Sequence, residues 1–147
     1  MAQTPNGPTL WLALFRTTEA MGRVARKSMN DAGLGYTDFT LLEALLHIGP
    51  QTPTALAERL GLTSGSITAA LDRLEIRSLV ARAQNPADLR SRVVELTDAG
   101  RALIGPAYAR HAADIEALIG SALTAEQRRE LFDLLHALRT TAHDVTP

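Results

Sequence analysis

Two arginines near the middle of the chain could bind phosphate or enter a groove of nucleic acid. They lie in the run Asp88-Leu89-Arg90-Ser91-Arg92. A guanidinium group binds phosphate through paired hydrogen bonds, and the negative potential of a narrow minor groove attracts it. We expect the Asp88 carboxylate to hold Arg90 or Arg92 by a charge-assisted hydrogen bond, which limits the rotamer freedom lost on docking. The alternative is a solvated turn with a weak surface ion pair.

A second group of small and polar residues precedes this run. Ile67, Leu71 and Leu74 are spaced i, i+4 and i+7, which predicts a helix over 64–77 with these side chains inward. Small side chains at its start allow close approach to base edges, and the helix N-terminus attracts phosphate. The predicted DNA-binding residues are Thr63, Ser64, Gly65, Ser66, Thr68, Ala69 and Arg73, together with Asp88, Arg90 and Arg92. The alternative is an ordinary amphipathic helix that starts with small residues.

The helix over 64–77 follows another short helix. Thr52 and Pro53 favour a helix start, because a hydroxyl caps the free N–H groups and proline fits the first turn. Gly61 favours a left-handed helix end, and Thr63 can cap the next helix. Two short helices joined by a glycine turn predict a helix-turn-helix.

A hairpin is predicted directly after this pair of helices. The periodicity becomes that of a strand over 79–83 and again over 93–96, with turn residues at 85–88 between them. A hairpin in this place is a wing, and its tip would carry Arg90 and Arg92.

Apolar residues at helical spacing predict further helices over 10–29, 37–48, 97–119 and 124–138. The third of these contains Pro106, where we expect a bend. The predicted order is α-α-α-α-β-β-α-α. The predicted fold class is therefore α+β, mostly α, with a winged helix-turn-helix.

Composition excludes several classes of protein. The 147-residue chain has a formal net charge of -1, so a DNA-binding surface must be local, and without cysteine it has no disulfides or thiol nucleophile. Because it also lacks the common nucleophile-elbow, phosphate-loop and zinc-protease motifs, we expect no enzyme and no cofactor. Without a signal pattern or an apolar run of ~20 residues, we expect a cytoplasmic protein with no membrane partner.

Aromatic residues near the first two predicted helices could bind a small molecule. The candidate ligand-binding residues are Trp11, Phe15, Arg16, Tyr36 and Phe39, with Tyr108 as a further aromatic. Arg16 or Arg23 could pair with a carboxylate of an aromatic acid. The alternative is that these side chains fill the core or a dimer interface.

Two pairs of residues have the spacing of metal ligands. Glu43 and His47 are spaced i, i+4, and His111 and Asp114 are spaced i, i+3. A partnered structural histidine is the more common situation, so we assign no metal site.

The central residues resemble those of the multiple-antibiotic-resistance regulator (MarR) family in order and spacing. The matching positions are Thr63, Ser64, Gly65, Ser66, Thr68, Asp72, Arg73, Leu74, Glu75, Leu79, Val80, Arg82, Asn85, Pro86, Ala87, Asp88, Arg90, Val94, Leu96, Thr97 and Gly100. This resemblance implies a homodimer with interlocking terminal helices, recognition helices in major grooves and wing arginines in minor grooves. It also implies, as is frequent in the family, a small-molecule pocket between the dimerisation and DNA-binding parts.

Three residues depart from the pattern of that family. Ala70 and Leu89 stand where arginine is common, and Ser78 stands where glycine is usual. We expect the first two to remove contacts with DNA. Serine is disfavoured at positive φ, so we expect Ser78 to change the helix exit.

These observations predict one continuous structural unit with dimerisation helices in 1–36 and 98–147 and a winged helix-turn-helix in 37–97. The predicted function is a dimeric transcriptional regulator, a repressor that binds a pseudo-palindromic operator in double-stranded DNA and is released by a small aromatic effector. The alternative is a winged-helix interaction or ligand-binding protein with weak or lost DNA binding.

Overall fold

The computed structural model describes residues 4–145. In this range the elements are α1 (Gly7–Asp31), α2 (Tyr36–Ile48), α3 (Pro53–Leu60), α4 (Ser64–Ile76), β1 (Val80–Gln84), β2 (Arg92–Leu96), α5 (Asp98–Ala122) and α6 (Ala125–Asp144). Their order is the predicted one. The mostly helical α+β class and the winged helix-turn-helix are therefore confirmed.

The ends of α3 and α4 follow the capping chemistry of the sequence. The Thr52 hydroxyl accepts a hydrogen bond from the Ala55 N–H at 3.2 Å, and the Thr63 hydroxyl accepts one from the Ser66 N–H at 3.2 Å. Between the two helices Gly61 has φ 62° and ψ 33°, a left-handed conformation that glycine adopts without steric strain. These contacts fix the tight turn between α3 and α4.

The chain divides into two compact units between Ala112 and Ala113, within α5. The core of the first unit is built from α2, α3, α4 and the hairpin, and its fully buried side chains include Phe39, Leu56 and Leu71. In the second unit α6 has no buried residue along its described length. Every helix within residues 4–145 is too short or too polar to span a bilayer.

The two strands form an antiparallel hairpin with Val80 opposite Leu96 and Gln84 opposite Arg92. On the other side of β2, Gln51 exchanges two backbone hydrogen bonds with Val94, at 3.0 and 2.7 Å. This bridge ties the base of the wing to the segment between α2 and α3. Sequence periodicity did not predict it, because one residue cannot show a strand pattern.

The junctions on either side of the hairpin are closely packed. The Thr97 hydroxyl accepts a hydrogen bond from the Gly100 N–H at 2.9 Å and donates one to the Ser78 carbonyl at 2.7 Å. A side-chain carbon on Gly100 would overlap the Leu79 carbonyl. The helix start predicted at Thr97 is confirmed, and the start of α5 lies directly against the exit of α4.

Ser78 keeps the backbone conformation that glycine would adopt. Its φ is 57°, in the left-handed region. The expectation that serine would change the helix exit was therefore wrong: the surrounding hydrogen bonds hold the left-handed turn, and the strain falls on Ser78 itself.

Candidate nucleic-acid interface

The start of α4 presents small side chains to solvent, as predicted. Ile67, Leu71 and Leu74 are buried, which fixes the orientation of the helix on the core. The residues left exposed near its N-terminus are Thr63, Ser64, Gly65, Ser66, Thr68 and Ala69. They form one continuous surface of low side-chain volume, which a duplex can approach closely.

Hydroxyl groups at this surface are partly engaged within the helix. Thr63 Oγ1 donates to Ser66 Oγ at 2.9 Å, and Thr68 Oγ1 donates to the Ser64 carbonyl at 2.9 Å. Both hydroxyls can still accept a hydrogen bond from DNA. Ser66 accepts from Thr63, so the proton of the Ser66 hydroxyl remains available for a phosphate or base-edge acceptor.

Ala70 does not belong to this surface. It is fully buried in the core beside Leu71 and Leu74. The expectation that alanine at this position removes a DNA contact stays a prediction, and the structure adds that the Ala70 side chain points inward rather than toward solvent.

Arg73 joins α4 to α2 instead of extending freely. Its Nη2 donates to Asp38 Oδ1 at 2.7 Å, and the Asp38 side chain is largely buried whereas that of Arg73 is half-exposed. The hydrogen bond and the charge of Asp38 raise the pKa of the Arg73 guanidinium above its usual value. Arg73 therefore positions α4, and its exposed part is what a phosphate could contact.

Arg82 links the wing to α4. From β1 its guanidinium contacts Asp72 at 2.6 Å and Glu75 at 3.0 Å. The hydrogen bond to Asp72 is the main cause that raises the pKa of Arg82. Arg82 was not among the predicted site residues. The signal that could have found it is an acidic pair spaced i, i+3 on a helix that precedes a strand arginine.

The wing tip is a closed network of hydrogen bonds. Asn85 bonds Ser91 at both backbone and side chain, at 3.1 and 2.8 Å, and the Asn85 carboxamide accepts from the Ala87 N–H at 3.0 Å. Asp88 Oδ1 accepts from the backbone N–H of Arg90 at 3.0 Å. Asp88 thus acts on Arg90 through its backbone, and not through the guanidinium as predicted.

Arg90 and Arg92 are both exposed at the end of this hairpin. Neither guanidinium has an ion-pair partner among residues 4–145. The acidic residues of α4 differ in this respect, because Asp72 and Glu75 are paired with Arg82. The end of the hairpin therefore carries two positive charges without an ion-pair partner and the carboxylate of Asp88, whereas the negative charge of Asp72 and Glu75 is balanced in part by Arg82.

The candidate ligand-binding residues do not come together within one chain. Trp11, Phe15 and Arg16 lie exposed in the first half of α1, and the helix rise places Phe15 about 20 Å along the axis from Ser28. Tyr36 and Phe39 follow the other end of α1; Tyr36 is exposed. The predicted residues therefore form two separate groups, one on α1 and one on α2, and not a single pocket.

Phe39 is a core residue rather than a ligand contact. Its side chain is 0% exposed, and its ring lies 5.1 Å from that of His111. The His111 Nδ1 is 2.9 Å from the hydroxyl of Ser28, whose proton is donated to the Ala25 carbonyl at 3.0 Å. Phe39 was wrongly predicted to face a ligand, because helix periodicity alone cannot tell a core side chain from a pocket side chain.

The two histidines considered as metal ligands have other contacts. His47 packs edge-on against Tyr108 at 4.5 Å, and His111 bonds Ser28. Among residues 4–145 the structure contains no cluster of three or more side chains that could hold a metal ion.

Comparison with known proteins gives a consistent assignment. Residues 34–91 match the model of the MarR family. The HTH-type transcriptional regulator MhqR of Bacillus subtilis is 33% identical over 118 residues, which cover 80% of this chain and 81% of that protein.

Two solved structures share the fold at lower identity. Sco3205, a MarR family transcriptional regulator from Streptomyces coelicolor solved in complex with DNA, has a TM-score of 0.81 and 22% identity, covering 100% of this chain and 93% of its own. BpsR of Bordetella bronchiseptica was studied for the regulation of its DNA binding by 6-hydroxynicotinic acid. Its structure has a TM-score of 0.76 and 23% identity, and the match covers 88% of this chain and 98% of the BpsR chain.

Proposed function

The chain belongs to the MarR family of transcriptional regulators, and we propose that it binds operator DNA as a homodimer. In each protomer the start of α4 enters a major groove and the wing tip reaches the adjacent minor groove. The observation that carries this proposal is that Arg82, on the first strand of the wing, forms ion pairs with Asp72 and Glu75 of α4, the helix whose exposed start would contact DNA. The two DNA-contacting parts are thereby held in a fixed relation.

Exposed apolar faces at both ends of the chain support dimerisation. On α6, Leu131, Leu134, Leu135 and Leu138 are all exposed at helical spacing. On α1, the exposed apolar residues are Leu10, Trp11, Leu12 and Phe15. We assign 1–36 and 98–147 to dimerisation and 37–97 to DNA binding. A two-fold dimer would bury these faces and space its half-sites by ~34–36 Å on a pseudo-palindromic operator.

We further propose that the protein is a repressor released by a small aromatic acid. Support comes from BpsR, whose DNA binding is regulated by 6-hydroxynicotinic acid. In this chain the exposed aromatic residues and Arg16 lie in the first half of α1, whereas Tyr36 begins α2, beyond the other end of α1. An effector site that uses both groups therefore needs a second protomer, which would couple effector binding to the arrangement of the dimer. Such a repressor acts where the chromosome lies, which agrees with the expected cytoplasmic location.

DNA binding is tested by selection from a pool of random duplexes, followed by fluorescence anisotropy on the selected duplex. We expect a pseudo-palindromic sequence and an affinity that falls steeply with salt, since each neutralised phosphate releases counterions. The double variant Arg90→Ala/Arg92→Ala serves as the matched control. Its affinity for DNA should depend less steeply on salt concentration. Selection of no sequence, with salt-independent binding, would favour the alternative of an interaction protein that has lost DNA binding.

Effector release is tested by adding benzoates, phenols and hydroxylated pyridine carboxylates to the preformed complex. We expect at least one compound to raise Tm of the free protein and to weaken DNA binding by about 5–150-fold, the usual range of coupling between two sites. Arg16→Gln should abolish the response and leave DNA binding in the absence of effector unchanged. If no compound changes Tm or affinity, these residues serve only the dimer interface.

A further inference from the structure

Leu89 lies at the apex of the wing and is 71% exposed. Single exposed leucines are common on protein surfaces, so exposure alone assigns no role. Its surroundings are specific, however. It follows Asp88 and precedes Arg90, in the tip where two guanidinium groups are available for DNA. An exposed apolar side chain is thus placed in the turn of a hairpin that also carries two exposed arginines.

The backbone on both sides of Leu89 is fixed by side chains of the wing. The Leu89 carbonyl accepts a hydrogen bond from Gln84 Nε2 at 3.2 Å, and the Arg90 N–H donates to Asp88 Oδ1 at 3.0 Å. Neither contact uses the leucine side chain. The tip therefore presents that side chain from a preorganised backbone, and shortening it leaves the network intact.

We propose that Leu89 makes the wing discriminate against guanine in the minor groove. This inference rests on the proposed DNA binding. An A·T pair offers only acceptors on the groove floor, whereas a G·C pair adds the N2 amino group of guanine, which protrudes and donates. Leucine has no acceptor for that group, so contact would bury an unsatisfied donor. Against A·T pairs the same side chain covers only acceptors, which both kinds of base pair present, so the unsatisfied N2 donor is an additional loss for G·C alone.

This role differs from that of Arg90 and Arg92. Guanidinium groups favour a narrow, strongly negative groove, and that preference depends on salt. Exclusion of an amino group by an apolar side chain depends on the atoms of the groove floor and is insensitive to salt. The two contributions can therefore be separated by changing the base and the residue independently.

The test uses the full-length protein and the duplex that it selects from a random pool. Hydroxyl-radical footprinting locates the minor-groove positions protected outside the major-groove half-sites. At these positions A·T pairs are replaced by G·C or by inosine·C, which keeps the major-groove edge of G·C but lacks the N2 amino group. For the wild type we expect similar affinity for A·T and inosine·C and about tenfold weaker binding to G·C.

Leu89→Ala should reduce the penalty for G·C to about threefold or less, with an unchanged salt dependence and an unchanged Tm. Ile76→Ala is the matched control, because Ile76 is 84% exposed at the end of α4 and loses the same number of carbon atoms; it should keep the full penalty. An equal penalty in Leu89→Ala and the wild type would overturn the role of Leu89 and leave the proposed function standing. Failure of the wild type to select any duplex would overturn both.

Discussion

Arg90 is the residue whose loss should affect DNA binding most directly. It extends from a hydrogen-bonded tip, and its backbone N–H, not its side chain, contacts Asp88. We predict that Arg90→Ala weakens operator binding by ~1–3 kcal/mol if the guanidinium enters a groove, and by less if it only neutralises phosphate. Fluorescence anisotropy at matched salt measures the change, and circular dichroism should show an unchanged fold. Equal affinity of mutant and wild type would remove Arg90 from the interface.

Arg82 should affect DNA binding indirectly, through the position of the wing. Its two ion pairs are partly exposed, so we predict that Arg82→Gln lowers the free energy of unfolding by only ~0–1 kcal/mol. The free energy of DNA binding should change by more than the free energy of unfolding. The reason is that the wing loses its link to α4 and two carboxylates lose their neutralising partner.

A double-mutant cycle with Asp72→Asn separates these effects. If Arg82 acts by neutralising Asp72, the double mutant should bind DNA better than Arg82→Gln alone, because it no longer carries the unpaired Asp72 carboxylate; equal affinity would show that the link between the wing and α4 is what matters. Additive losses in the two single mutants would show instead that Arg82 contacts DNA itself.

At the scale of elements, the junction between α5 and the exit of α4 admits no side chain at Gly100. A Cβ there would overlap the Leu79 carbonyl, a backbone atom that cannot rotate away. We predict that Gly100→Ala destabilises the protein by about 1–3 kcal/mol, the usual effect of forcing volume into a packed region. Urea unfolding at a fixed protein concentration measures it.

Gly105 provides the control within the same helix, because a Cβ added there meets no atom of another part of the chain within 4 Å. Gly105→Ala should change the stability of α5 by less than about 1 kcal/mol, because the higher helix propensity of alanine is opposed by Pro106, whose ring disfavours a helical conformation of a non-glycine residue before it. A loss of similar size in both variants would contradict the assignment of the Gly100→Ala effect to the Leu79 carbonyl.

The order and type of these elements could be predicted from the sequence because they depend on local signals. Thr52, Thr63 and Thr97 cap helices within three residues of their own position, and the turn residues of the hairpin stand directly between its two strands. Each signal acts over a short stretch of chain. The elements are therefore readable without knowledge of their packing.

Contacts between distant residues could not be read in the same way. The Arg73–Asp38 pair joins positions 35 residues apart, and the Gln51–Val94 bridge involves a single residue on one side. Burial was also misjudged for Phe39, which was expected in a pocket and is fully buried near the start of α2. Such facts follow from how the helices pack, which periodicity does not specify.

At the scale of the whole molecule, dimerisation through α6 should control DNA binding. We predict that Leu134→Glu weakens the dimer by about 2 kcal/mol or more, because an unpaired charge would enter an apolar interface. Analytical ultracentrifugation should show dissociation, and operator affinity should fall in parallel. Thr140→Glu adds the same charge on the opposite face of α6 and should change neither. A stable wild-type monomer would contradict the arrangement.

α6 also has a consequence for the lifetime of the protein in a cell. A helix of 20 residues without a buried side chain gains little from its own chain and is only marginally stable in water. If association supplies its stability, newly made chains at low concentration expose a segment that opens readily to proteases. Degradation would then be fastest when copies are few and slow once dimers form. The regulator would accumulate only above a threshold rate of synthesis. The genes that it controls would then respond to that threshold as well as to any effector.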